Sequence, residues 1–274
     1  MRHKLLITGG NGFLARAVLA QIQTGSQVAM LVRAGTRADD SPYQSYEGME
    51  QVSASGFRPS AVLHLAACIP APGNAHDSNL VSANVDLVSH LVQAFPEARH
   101  VHASSVSVFG APQNLPITVD TPVRPTSAYG LTKLAGECLV RQCESHAVIR
   151  FSSLVGIGMK PYSFIPIMVI GAQRGQITLV GDGARLQNYL AIEDAASMCL
   201  VALEATDTFV TLGVGPRSYR NDEVAEILAT MSGAKITRIA GDKGPSFKYD
   251  KGSARLLGPC RHPLEDVLAR MLRA

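Results

Sequence analysis

Apolar positions along the first 155 residues follow two alternating patterns: short unbroken runs, and longer stretches with apolar residues three and four apart. The run "KLLITGG" (Lys4–Gly10) stops on glycines and predicts a strand buried on both faces. Phe13, Ala17, Val18 and Ile22 follow at helical spacing, with Gly25 as the stop. A second strand is predicted over Gln27–Arg33, a polar loop over 34–46, a short helix over Gly48–Ser55 and a strand over Ala61–Ala67. Leu80, Val81, Asn84, Val85, Val88, Leu91 and Val92 mark a helix over Asn79–Phe95. His100–Gly110 reads as a strand running into a loop. A proline-rich loop leads to a helix holding Tyr129 and Lys133, and Ala147–Ser153 is another strand. Such alternation predicts an α/β fold, a doubly wound parallel sheet. After Gly156 the elements shorten and Gly and Pro recur more often, which predicts a smaller lobe over 156–274, with a segment near 186–212 returning to the first domain.

Composition narrows the function classes. The 274 residues are 46% apolar and carry a formal charge of +3. The basic residues are scattered and tryptophan is absent, which argues against nucleic acid as a partner. No run approaches the roughly 18 apolar residues of a membrane span, and the N-terminus reads as a first strand rather than a signal peptide. Five cysteines without paired spacing read as reduced core thiols of a cytoplasmic protein. Eight histidines lack metal-ligand spacing, so no metal is expected, and His64 reads as a satisfied core residue.

"TGGNGFLA" (Thr8–Ala15) follows a predicted strand and opens a helix. Gly9 and Gly12 permit a tight turn and close approach of a pyrophosphate, and Ala15 permits close helix–strand packing. That is the pattern of a Rossmann dinucleotide site, so 1–155 is expected to be an NAD(P)-binding domain. Arg33 stands where an acid would hold the ribose hydroxyls of NAD. A guanidinium pairs instead with a 2′-phosphate, so NADP(H) is favoured, with NAD(H) the alternative and Arg37 a second contributor. Tyr129 and Lys133 are four residues apart, hence on one helix face. An ammonium about 4 Å from a phenol is worth up to ~4 kcal/mol, enough to lower the phenol's pKa by roughly 3 units into acid–base range. Ser105, at a predicted strand end, is the candidate to orient a substrate oxygen toward Tyr129.

Thr8–Ala15, "VLHLAA" (Val62–Ala67), Asn84, "SSVSVFG" (Ser104–Gly110), "YGLTK" (Tyr129–Lys133) and "LVGDGARLQNYLAIEDAA" (Leu179–Ala196) together resemble the extended short-chain dehydrogenase/reductases, the NAD(P)-dependent epimerase/dehydratase group. The resemblance covers nearly the whole chain. It implies a catalytic set of Ser105, Tyr129 and Lys133, with Lys133 also on the nicotinamide ribose. It implies Gly9, Gly12, Phe13, Leu14, Arg33, Leu65, Ala66 and Ala67 along the cofactor, and Asn84 locking a helix beside the active-site strand. Ser107, Ser153 and Arg185 join Ser105 as substrate contacts in a C-terminal substrate-binding lobe. Expected chemistry is hydride transfer on a small-molecule substrate, a nucleotide-activated sugar, with a reductase favoured over an epimerase or a ketoreductase on a non-sugar intermediate. The family's dimers, which pair the helices starting near Leu80 and Tyr129, imply a homodimer. Besides Arg33, the chain departs from the family pattern at Ser153, which replaces an asparagine, and at Gln187, which replaces an arginine that grips a nucleotide-sugar phosphate. "VSV" after Ser105 replaces the acidic pair of the dehydratases.

Overall fold

The computed structural model describes residues 4–22, 26–36, 42–71, 73–74, 77–111, 113–241, 244–250 and 254–274. Its strands begin with β1 (Lys4–Thr8), β2 (Gln27–Leu31), β3 (Gln44–Tyr46), β4 (Ala61–His64), β5 (Arg99–Ser105) and β6 (His146–Phe151). The next three, β7 (Ser153–Val155), β8 (Gln176–Val180) and β9 (Leu186–Ala191), belong to the second lobe, before β10 (Phe209–Gly213) returns to the large sheet. That sheet is parallel, in the order β10-β6-β5-β4-β1-β2-β3. The chain winds from β1 outward to β3, then crosses back to β4 on the other side of β1. Loops leaving β1 and β4 therefore diverge, and this switch point is where such sheets bind ligands.

The helices follow as α1 (Phe13–Leu19), α2 (Met49–Ala54), α3 (Asn79–Val81), α4 (Leu87–Ala94), α5 (Ala128–Val140), α6 (Phe164–Gln173) and α7 (Ile192–Glu204). On one sheet face Leu5, Ile7, Leu63 and Ile149 pack under Leu14, Ala15 and Val18 of α1 and Ala195, Ala196 and Cys199 of α7. On the other, Leu6, Ala29 and Val62 pack under Val52 of α2 and Leu91 of α4. The second lobe adds β11 (Ser218–Arg220), α8 (Asn221–Ser232), β12 (Lys235–Ile239), α9 (Ala254–Leu257) and α10 (Leu264–Arg273). Its strands form two small sheets, β11-β9-β7 and β12-β8, around Ile165, Met168, Ile177, Val224, Leu228 and Leu268.

Several expectations need correction. The second strand stops at Leu31, so Arg33 lies in the turn beyond it, and a short strand, β3, occupies part of the expected loop. The strand from His100 ends at Ser105 and passes into a 3-10 turn, Val106–Phe109. The helix over 79–94 contains a π-helical turn, Ser82–Asp86, and Val81, counted among its apolar positions, is 54% exposed. The wider π turn shifts the helical phase, and it brings Asn84 to full burial. Of the five free cysteines only Cys199 is buried and Cys138 is exposed, so they are not uniformly core thiols. Gly25 and Arg37 lie outside the described residues. Among the described residues, no helix is long and apolar enough to cross a membrane.

Candidate active site

The glycine turn is built by close backbone approach. Gly9 has φ +68°, and a Cβ there would stand 2.8 Å from the Ala66 Cα. Only glycine meets both demands. Thr8, buried at the end of β1, clips the same two loops together. Its hydroxyl accepts hydrogen bonds from the backbone N–H of Leu65 (3.1 Å) and Ala66 (3.0 Å). Gly12 is equally tight, since a Cβ would meet the Gly9 carbonyl oxygen at 2.8 Å. The result is a cradle of bare backbone at the switch point, with no acid in the first turn of α1, which suits an anionic group. Side chains contribute less than the resemblance implied. Leu14 is buried in the core, and Phe13 packs toward Gly156, so these two offer a ligand only their backbone. Leu65 and Ala66 are half-buried along the crevice and Ala67 is exposed.

Arg33 is exposed, and its carbonyl accepts the Thr36 N–H at 3.0 Å. Its charge reaches Asp77 and Cys68 in the segment after β4. Asp77, hydrogen-bonded to Asn79 and facing Arg33, is held below the usual carboxylate range.

The helix α5 carries the acid–base candidates. Ser127 caps it, its hydroxyl accepting the Gly130 N–H at 3.1 Å. A Cβ at Gly130 would come within 2.6 Å of the Ser107 carbonyl, so glycine lets the helix start sit against the 3-10 turn after Ser105. Tyr129 consequently lies close to Ser105, whose hydroxyl favours the ionised phenol. Ser105 in turn donates to the Ser107 hydroxyl at 3.0 Å. The phenol's acidity runs opposite to expectation. Burial of its hydroxyl end, though the residue as a whole is part-exposed, pushes Tyr129 up to about 12, with Ser105 pulling the other way and Cys68 adding to the rise. Lys133 is not among the groups acting on the phenol, and its own ammonium is desolvated. Lys133 is 1% exposed, and burial lowers it to about 8 against the opposing pull of Glu137.

Glu137 was not singled out from sequence, although it continues the four-residue spacing from Tyr129 through Lys133. Fully buried, it accepts from Ser104 of β5 and from Arg150 of β6, whose Nη2 lies 2.8 Å away. Asn84 sits behind the helix. Its carboxamide accepts from the Cys68 N–H (2.8 Å) and donates to the Cys68 carbonyl (3.1 Å) and the Thr132 hydroxyl (3.0 Å). Both donors are used, so Asn84 positions the crevice loop against α5 rather than donating to a cofactor.

A column of imidazoles lies beneath Lys133. His100 Nε2 is 2.9 Å from the Phe95 carbonyl, which only accepts, so this nitrogen carries the proton. His100 Nδ1 then accepts from His64 Nε2 at 2.8 Å, which leaves His64 Nδ1 a bare buried acceptor. His64 is thus half satisfied, not fully as expected, and both ring nitrogens of the buried His102 lack a protein partner. Burial first, then Lys133 and the neighbouring imidazoles, which disfavour a further charge, hold His64 and His102 well below the ordinary imidazole value. Unfolded imidazoles bind protons below about 6.5 whereas these do not, so stability is complete above that pH and lost beneath it. Urea unfolding should show a loss on the order of 3 kcal/mol between about pH 6.5 and 5 from these two residues. A flat stability over that interval would contradict the neutral column.

Ser107, Ser153, Gln187 and Asn188 meet in a cavity of about 240 Å³ beside the 3-10 turn, with Phe247 and Tyr249 on another wall. Arg185, expected there, is not in the lining. Its Nε donates to the Pro245 carbonyl at 2.9 Å, and its guanidinium packs on Gly244. Gln187 and Asn188 of β9 line the cavity instead.

The NAD dependent epimerase/dehydratase family model matches residues 5–215. The chain belongs to this family. Among epimerase/dehydratase relatives, a UDP-glucose 4-epimerase of Lactobacillus helveticus is 26% identical over 97% of this chain and 95% of its own. A dTDP-glucose 4,6-dehydratase of Neisseria gonorrhoeae is 28% identical over 71% of this chain and 67% of its own. The structure of the Bordetella bronchiseptica enzyme WbmG in complex with NAD and UDP superposes with a TM-score of 0.86 at 20% identity, over 100% of this chain and 94% of that one. MoeE5 in complex with UDP-glucose and NAD gives 0.85 at 24% identity, over 98% and 97%. These superpositions show that the epimerase/dehydratase fold extends through both lobes.

Proposed function

We propose that the chain transfers hydride, with a nicotinamide cofactor, at a hydroxyl- or keto-bearing carbon of a sugar, in the direction of net reduction. The observation carrying this reading is the packing of the start of α5, through Gly130, against the turn after Ser105, which sets Tyr129 and the buried Lys133 of one helix face beside that serine. A phenol that keeps its proton at neutral pH is set to donate it. Ser105 would hold the substrate oxygen, and Tyr129 would give that oxygen a proton as the carbonyl becomes a carbinol. Lys133 would lend positive charge beside both and hold the cofactor ribose. When bound, the nicotinamide supplies the hydride. Gly9, Gly12 and the loop Leu65–Ala67 would hold the cofactor. A homodimer and a cytoplasmic setting complete the reading, supported by exposed Val81 and Leu131 and by five unpaired cysteines.

The test is mass spectrometry of whatever co-purifies natively, followed by cofactor oxidation with keto-sugars. Turnover with a readily exchanged cofactor is expected; no oxidation with any ketone would end the reductase reading. A second reading, an epimerase retaining its cofactor, is favoured by the full-length match to an epimerase. Cofactor that stays bound through gel filtration would select it.

We also propose NADP(H), from the exposed guanidinium of Arg33 beyond β2, with NAD(H) the alternative. One charge-assisted contact is worth about 1.5–3 kcal/mol. Arg33→Ala should therefore weaken NADPH about 10- to 100-fold and leave NADH unchanged in a fluorescence titration. Equal losses for both would remove the preference.

A further inference from the structure

The imidazole column under α5 has a direction built into it. The Phe95 carbonyl only accepts, so His100 turns its Nε2–H to that oxygen, at 2.9 Å, and its bare Nδ1 to His64. His64 Nε2–H donates to this nitrogen at 2.8 Å, and His64 Nδ1 remains as a buried acceptor. One backbone oxygen thus fixes two tautomers in series, and the open end of the series is a lone pair. The His102 ring stands edge-on to His64, with centroids 5.9 Å apart. It adds two more buried nitrogens that lack a partner among the described residues.

Lys133 covers this group from the helix side. Gly136, three residues further along α5, has no side chain to hold the helix off: a Cβ there would stand 3.0 Å from His102 Nε2. The lysine is 1% exposed, and its charge is felt by both His64 and His102. Buried polar atoms are nearly always hydrogen-bonded. His64 Nδ1 takes no direct bond from the ammonium, so its donor has to be carried to it. Lys133, His64 and His102 offer the roughly three partners that a buried water takes.

We infer that one buried water shared by the Lys133 ammonium, His64 Nδ1 and His102 couples the lysine to the column, and that His64 and His100 are positioning residues keeping lone pairs, not N–H groups, turned toward the positive charge. For the use made of Lys133, this rests on the hydride-transfer reading. The other titratable groups around the lysine are Tyr129 and Glu137 on its own helix, with Cys68 beside Tyr129 and His146 of β6 acting on His100. Of these, Glu137 alone supports the ammonium by charge, and it is shared with Ser104 and Arg150.

Two arms of the test need no activity. Long-range nitrogen–proton NMR of the imidazoles in the full-length protein at neutral pH should show His64 and His100 as Nε2–H tautomers. An Nδ1–H form at either overturns the inference. Lys133→Met should shift the His64 Nδ1 resonance and leave that of His100 Nε2 in place; an unmoved His64 resonance overturns it too. The third arm is the pH profile of kcat/KM. His64→Phe removes the lone pair, so the ammonium gives up its proton more readily. The alkaline limb should move toward neutrality by about 1 unit, a tenfold loss of proton affinity. His64→Asn, which keeps an acceptor near the Nδ1 position, should restore the wild-type limb. Coincident limbs for wild type and a folded His64→Phe, or a shift that asparagine leaves uncorrected, overturn the positioning role. If cofactor binds but no ketone is turned over, the hydride reading fails instead, and the spectra still report on the column.

Discussion

Tyr129→Phe should lower kcat/KM by about 10²- to 10⁴-fold, the span that a positioned general acid contributes. The variant removes one oxygen and little volume. Ser105 keeps its bond to Ser107, and the ring keeps its place at the start of α5. Cofactor affinity and melting temperature should therefore stay near wild type. That separation identifies a lost proton rather than a lost fold. Wild-type turnover by the variant would show that the proton comes from elsewhere.

Glu137→Gln should destabilise the protein by about 3–5 kcal/mol, the usual result of removing one partner from a buried ion pair. Glu137 gathers Ser104, Arg150 and, through its charge, Lys133. The Arg150 guanidinium would remain against the Phe109 ring, 5.0 Å from its centroid, without a counter-charge. Lys133 would change too. Glu137 opposes the burial that lowers Lys133 to about 8. Without it the lysine loses its proton at lower pH, so the alkaline limb of the rate profile should move toward neutrality. Urea unfolding checks the first effect, and a pH profile of kcat/KM the second. An unmoved alkaline limb with full loss of stability would confine Glu137 to a structural role.

The sequence exposed what depends on local pattern and hid what depends on packing. Lys4–Gly10 and Ala61–Ala67 read as strands because their apolar runs end on glycine or loop residues, and the structure pairs Leu5–Thr8 with Ala61–His64, while 65–67, expected in the strand, form the loop beyond it. The glycine turn was legible because its chemistry needs bare backbone. β3 was not, having three residues and no apolar run of its own; it forms only because β2 offers an edge. Arg185 stands out by charge, whereas its bond to the Pro245 carbonyl holds it out of the cavity that Gln187 lines. The direction of the Tyr129 shift was misjudged because a neighbouring ammonium is visible in sequence and burial is not. Glu137 was overlooked because its partners, Ser104 and Arg150, come from two other strands. Thr8 could have been found, since it immediately precedes the glycines and only a β-strand end would place its hydroxyl at the next loop.

The return of α7 and β10 has a practical corollary. A fragment cut at 155 would leave β6 as an open, sticky margin and strip the lid from Ala15 and Val18. Neither half is a detachable cassette: the polypeptide is stitched through its own junction, and grafting the nucleotide half onto another protein would require carrying most of the remainder along.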